Sequence, residues 1–187
     1  MTRYDFLKFL HISFAVIWVG GGVIVQFFAL RALASGSAER LTQFALDVEW
    51  VGGRVLTVAA AGAFLSGLGL VWDAQFWTLG DDWILIGLGL FAVTFLAGAL
   101  FFGPEAGRIA KAAATLGPRA PEVTGRIRRI LVLSRIDLVI LFLILFDMAV
   151  KPSFDDGWTI VGVLLAAVAL SLLLVLPARR NSAAQIA

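Results

Sequence analysis

Cysteine is absent from the 187 residues, histidine and tyrosine occur once each, and methionine twice. No disulfide, thiolate metal site or cysteine nucleophile is available, and cysteine usage gives no hint of redox compartment. There is no HExxH motif, no catalytic triad and no carboxylate pair at glycosidase spacing, which argues against a hydrolytic enzyme. Charge is scarce too: 15% of the residues are Asp, Glu, Lys or Arg, against about 25% in soluble domains. What fills the chain is apolar, 60% of it, with a mean hydropathy of +0.95. Apolar runs near the length of a bilayer crossing recur, so the chain reads as an all-α polytopic membrane protein. The net charge of +2 is better explained by basic loops on one membrane side than by nucleic acid.

The runs divide into five spans, near residues 5–33, 54–72, 83–102, 130–150 and 158–176. One domain, 1–178, therefore reads as a bundle of five transmembrane helices, followed by a cytoplasmic tail, 179–187. Residues 39–49 are too polar to span. Leu41, Phe44, Ala45 and Val48 give them an apolar stripe at helical spacing, as expected of a short interfacial amphipathic helix. Gly52 and Gly53 read as the turn into the second span. The third helix is expected to continue past Pro104, because Ala99, Gly103 and Gly107 keep one small face. Trp72, Trp77 and Trp83 mark one membrane interface. Twelve Lys and Arg fall in loops one and three and the tail, against Arg3, Lys8 and Lys151 on the other side. This asymmetry puts the N-terminus outside and the C-terminus in the cytoplasm. A cleaved signal peptide is rejected, because the first run is too long and Asp5 interrupts its basic start.

Residues that carry chemistry sit at two levels. Near the outer end of the bundle are His11, about 6 Å into the first span at ~1.5 Å per residue, and Asp147 and Met148 at the end of the fourth. Near the inner end are Gln26, Arg54, Arg135 and Asp137. At ~100° per residue, His11, Ala15, Trp18, Gly22, Gln26 and Ala29 share one face of the first helix. Phe9, Val16, Ile24 and Phe27 share the opposite one. Small and polar residues toward neighbours and bulky ones toward lipid is the expected arrangement. A buried neutral imidazole suits a haem or metal ligand or a proton carrier. With one histidine per chain, a second iron ligand would be Met148, water or His11 of another subunit. The alternative is a neutral histidine bonded to a backbone carbonyl or to Ser13. For Asp137 the expected partner is Arg54, with Gln26 nearby, in a structural polar network.

The segment Phe9-Leu10-His11 through Trp18-Val19-Gly20-Gly21, with Arg54-Val55-Leu56-Thr57 opening the second span, resembles a family of small bacterial integral membrane proteins of unknown function. The histidine followed by tryptophan and glycine also resembles the first helix of HemJ-type protoporphyrinogen oxidases and of CopD-type copper-resistance proteins. That resemblance implies the bacterial inner membrane and haem b or a porphyrin held by His11; by the helix face, Gly22 would leave room for the ring and Trp18 pack on it, with Met148 at the same level if the fourth helix neighbours the first. Beside it stand a small transporter, an accessory subunit of a membrane complex or a homo-oligomer, and a scaffold in which His11 is incidental. Lipid is the common partner, and no nucleic acid is expected.

Overall fold

The computed structural model describes residues 1–74 and 76–183, with the side chains of the last helix described as far as Leu172. Among these residues every regular element is helical: α1 Arg3–Ala34, α2 Ala38–Val51, α3 Thr57–Asp73, α4 Asp82–Ala97, α5 Gly103–Leu116, α6 Pro121–Val150 and α7 Gly157–Ala183. Two π-helical turns, Gly52–Leu56 and Gly98–Phe102, join α2 to α3 and α4 to α5.

Local sequence explains the ends. Thr2 and Asp5 form a capping box at the start of α1, each side chain taking the other's backbone N–H at 3.1 Å. Ser37 caps α2, satisfying a donor that the first turn leaves open. Gly117, at φ +86°, ends α5 where a side chain would be strained, and Pro121 opens α6, as the sequence suggests. The third helix does continue past Pro104, running from Asp82 to Leu116 through the second π turn.

Gly52 and Gly53 do not turn the chain, contrary to expectation. The helix runs unbroken from Ala38 to Asp73, 36 residues, and the glycines sit where it widens. The Thr57 hydroxyl donates to the Gly52 carbonyl at 2.8 Å, which keeps that carbonyl bonded in apolar surroundings where leaving the ladder is costly. The interfacial helix is corrected with it. At ~1.5 Å per residue a 36-residue helix is about 54 Å long, well beyond a hydrocarbon core of ~30 Å. The excess length stacks on other protein. Leu41 of α2 joins Ala29 of α1, Ile109 of α5, and Val123, Ile127 and Leu131 of α6 in one buried cluster, with Phe44 and Ala45 packed against it. Leu41, Phe44 and Ala45 of the amphipathic stripe therefore face helices, while Val48 borders an open apolar groove. Buried Glu105 braces this layer, bonded to Arg108 at 3.1 Å and to Arg126 of α6 at 2.9 Å, and Arg119 pairs with Glu39.

Three helical stretches, Arg3–Ala34, Ala38–Asp73 and Asp82–Leu116, are long and apolar enough to cross a membrane. In α6, 30 residues long, arginines and two aspartates interrupt the apolar sequence, and the described apolar part of α7 is Gly157–Leu172. α7 passes through Pro177 and reaches Ala183. Residues 184–187 lie outside the described residues.

The helices of the membrane layer pack through small residues. Leu7, His11 and Phe14 of α1 lie against Gly69, Gly67 and Gly62 of α3, and Gly21 of α1 lies under Leu56. On its other side α1 meets α6, with Gly22 against Leu138 and Leu141 and Val19 clustered with Leu141 and Ile144. A Cβ at Gly62 would stand 2.6 Å from the Phe14 ring, whereas one at Gly89 would meet nothing within 4 Å. Gly62→Ala should therefore lower stability by about 1–3 kcal/mol through overpacking, while Gly89→Ala should leave it unchanged or raise it. Thermal unfolding of the detergent-solubilised variants checks this, and equal effects at the two positions would refute the packing described.

Candidate functional site

The rotation of α1 decides which of its residues reach which neighbour. Phe9, Val16, Ile24 and Phe27 are all more than half exposed, so the bulky stripe faces outward as the periodicity requires. His11, Ala15, Trp18, Gly22 and Gln26 are half-buried, and Ala29 is buried. That stripe is shared between two neighbours. His11 turns to α3, where its Nδ1 lies 2.7 Å from the Ala63 carbonyl oxygen and its ring lies beside Gly67. A carbonyl only accepts, so Nδ1 carries the hydrogen and Nε2 the lone pair. This is the backbone-carbonyl arrangement weighed from the sequence. Ser66 also donates to the Ala63 carbonyl, at 3.2 Å.

Trp18, Gly22 and Gln26 reach a different place, a cavity of about 540 Å³ between α1, α6 and the two π turns. Gly52, Gly53 and Leu56 from the first π turn and Gly98, Ala99 and Phe102 from the second line it. π turns in helices occur frequently at functional sites, because the extra residue re-aims side chains and loosens the ladder. The wall is aromatic, with Trp18, Phe44, Phe95 and Phe102, and its polar groups are few: Gln26, Glu49, Thr57, Thr94, Ser134 and Asp137. Gln26 donates from Nε2 to the Ser134 hydroxyl at 2.6 Å, and Ser134 passes its own hydrogen to the Leu131 carbonyl at 3.0 Å. Thr94 is bonded to the Phe91 carbonyl at 3.0 Å. Asp137 Oδ1 is buried with no hydrogen-bond partner among the described residues. Among the described residues the lining holds two carboxylates and neither lysine nor arginine.

The expected Arg54–Asp137 pair is not formed. Arg54 is exposed, its guanidinium lies over the Trp50 ring at 5.2 Å, and it does not line the cavity. The reason is the unbroken helix: Gly52, Gly53, Leu56 and Thr57 take the inward face, which leaves Arg54 pointing out. The expected haem surroundings are likewise divided. His11 borders neither this cavity nor the open apolar groove along the outer side of α1. Met148 packs against Gly87 of α4, and only Trp18 and Gly22 reach the cavity. Among the described residues no three His, Cys, Asp or Glu are grouped to hold a metal ion.

Two features escaped the sequence. The π turns have a signal, a glycine at each (Gly52-Gly53 and Gly98), but glycine pairs mark turns more often than widened helices. Asp147 was noticed only for its position. It is 1% exposed, and neither carboxylate oxygen has a hydrogen-bond partner among the described residues.

If Arg54 stands outside the polar network, Arg54→Gln should change unfolding free energy by less than about 0.5 kcal/mol. Gln26→Leu, which removes the donor to the Ser134 oxygen, should cost about 1 kcal/mol. Denaturation in mixed micelles measures both, and a larger loss from Arg54→Gln would restore the ion pair.

No curated protein and no solved structure matches the chain, so the likeness of its first helix to HemJ-type and CopD-type proteins rests on that motif alone. Residues 5–152, which hold nearly all of α1, α2 through α6 and the whole cavity, match the family described as predicted integral membrane protein (DUF2269). The chain, with its glycine-lined helices and its mid-bundle carboxylate, belongs to that family of integral membrane proteins of unknown function.

Proposed function

We propose that this protein is a small membrane transporter whose cavity takes up an organic cation with an apolar body. The observation that carries the reading is Asp137 Oδ1, buried without a hydrogen-bond partner in a cavity with no lysine or arginine in its lining among the described residues. A carboxylate at such depth is expensive unless a cation or a proton answers it. Trp18, Phe44, Phe95 and Phe102 supply surfaces that attract a cation through the ring faces. About 540 Å³ lies within the ~300–1,000 Å³ typical of small-molecule sites. In this reading the chain makes five spans in a bacterial inner membrane, N-terminus outside, as the basic asymmetry of the loops argues.

Tetraphenylphosphonium is a suitable probe, since it is a cation clad in aromatic rings. Equilibrium dialysis should show wild-type protein binding it, with affinity lowered at least about tenfold in Asp137→Asn, or ~1.4 kcal/mol. Equal binding by the variant would remove the cavity from the function.

A second reading, haem b or a porphyrin at His11, is favoured by the Nδ1–H bond to the Ala63 carbonyl. Such a bond fixes the tautomer of metal-ligating histidines and leaves Nε2 to coordinate. The transporter reading expects colourless protein after expression with ample haem. A Soret band in the absorption spectrum that vanishes in His11→Ala would put the second reading first.

A further inference from the structure

At the opposite end of α6 from the loop-side layer lies a group that the cavity does not involve. Asp147 is buried against α4, where a Cβ on Gly87 would stand 2.8 Å from Oδ2 and 2.6 Å from Met148 Cε. Both its oxygens lack hydrogen-bond partners among the described residues, and so does the buried Trp83 Nε1. Trp83 lies one turn before Gly87, on the same face of α4. Two partnerless acceptors and one partnerless donor thus occur on facing helices at the same end of the bundle.

Lys151 stands four residues after Asp147, the spacing at which acid and base on one helix pair. They are not paired here. Lys151 is the C-cap of α6 and takes the left-handed conformation at φ 53°, rare for a residue with a side chain. Its ammonium lies 4.2 Å from the centre of the Trp77 ring and 5.0 Å from that of Trp83, and these two rings meet edge to face. The other charged groups at this end are mostly engaged. Asp82 of α4 accepts the Phe154 N–H at 2.9 Å, Asp156 accepts from Ser153, Asp81 from Thr78, and Asp73 of α3 pairs with Arg3 of α1. On α1, Asp5 caps the helix beside Lys8, and His11 is bonded to Ala63. Asp155 lies in the turn before α7, and Gly157, Trp158 and Thr159 at the start of α7 carry no charge. At the far end of α6, where α2 and α5 pack, Glu105 is held by Arg108 and Arg126.

We infer that Asp147 is a proton-binding site that exchanges with the adjacent aqueous face, and that Lys151 is its counter-ion, parked on the Trp77–Trp83 pair while Asp147 is neutral. An isolated carboxylate in this burial is costly, so the neutral acid is the resting form. Release transfers the proton to water and leaves a carboxylate. The ammonium, one helical turn away on a flexible four-carbon stem, leaves the rings and pairs with it. Uptake reverses both movements. The two tryptophans hold the cation in reserve through their ring faces, an attraction that a full negative charge one turn away exceeds. The inference holds whether or not a cation occupies the cavity at Asp137.

Dicyclohexylcarbodiimide, which couples with protonated carboxyls in apolar surroundings, reads the protonation state of the full-length protein in proteoliposomes. Peptide mass spectrometry across about pH 5 to about pH 9 locates the adducts. Labelling at Asp147 should be strong at low pH and fall at least about tenfold across the range. Lys151→Gln takes the counter-ion away and should leave Asp147 labelled at the alkaline end of the range, while Lys151→Arg labels as the wild type does. Absence of wild-type labelling at Asp147, labelling unchanged with pH, or Lys151→Gln losing its label as the wild type does would each overturn the inference. Tetraphenylphosphonium should protect Asp137 and not Asp147, so failure at one carboxylate is told apart from failure at the other.

Discussion

The close antiparallel contact of α1 with α3 is the constraint on which the remaining geometry depends. Gly62, Gly67 and Gly69 give up side chains so that Phe14, His11 and Leu7 can enter. Between lipid-bathed helices there is little hydrophobic gain from burial, so close packing and directed hydrogen bonds do the joining. Once His11 is bonded to Ala63, α1 cannot rotate freely about its axis. Trp18, Gly22 and Gln26, two and more turns further on, are thereby presented to α6. Gln26 then meets Ser134, and Asp137, on the next turn of α6, faces the space that remains.

That space exists because two helices widen. A regular α-helix through residues 52–56 or 98–102 would carry different side chains inward beyond the widening. The π geometry keeps Gly52, Gly53 and Gly98 on the cavity wall, where the missing side chains leave room. The aromatic residues then enclose what the glycines leave open.

Much of this was legible in the residues, and the limits have physical causes. The outward stripe of α1 could be read because one face meets lipid alone, and a single environment leaves a single periodic mark. The inward stripe could not be apportioned, since two neighbours divide it: His11 goes to α3 while Trp18 goes to the cavity. Gly52-Gly53 reads as a turn by local chemistry, yet in apolar surroundings the backbone keeps its ladder and widens instead. The Arg54–Asp137 pair was inferred from depth, which sequence position reveals, but pairing also needs azimuth, and the π turn altered it. The stripe of α2 was correctly seen as amphipathic, though nothing in it distinguishes a lipid surface from the flanks of α5 and α6. Asp147 needed Gly87 opposite it before its burial could be recognised.

The segment from Ala38 to Leu116 reads almost the same in either direction: a polar arm, a π turn, an apolar arm, a short connection, then apolar arm, π turn and polar arm again. Its apolar arms hold 17 and 16 residues, so the two widened turns stand about 25 Å from the connection, at matched heights, at ~1.5 Å per residue. Beyond the two turns the polar arms are joined, because Leu41 and Ile109 share one core with α6. Both widened turns line the same cavity, so the two long helices loosen their ladders where the bundle is hollow and are clamped together just past it.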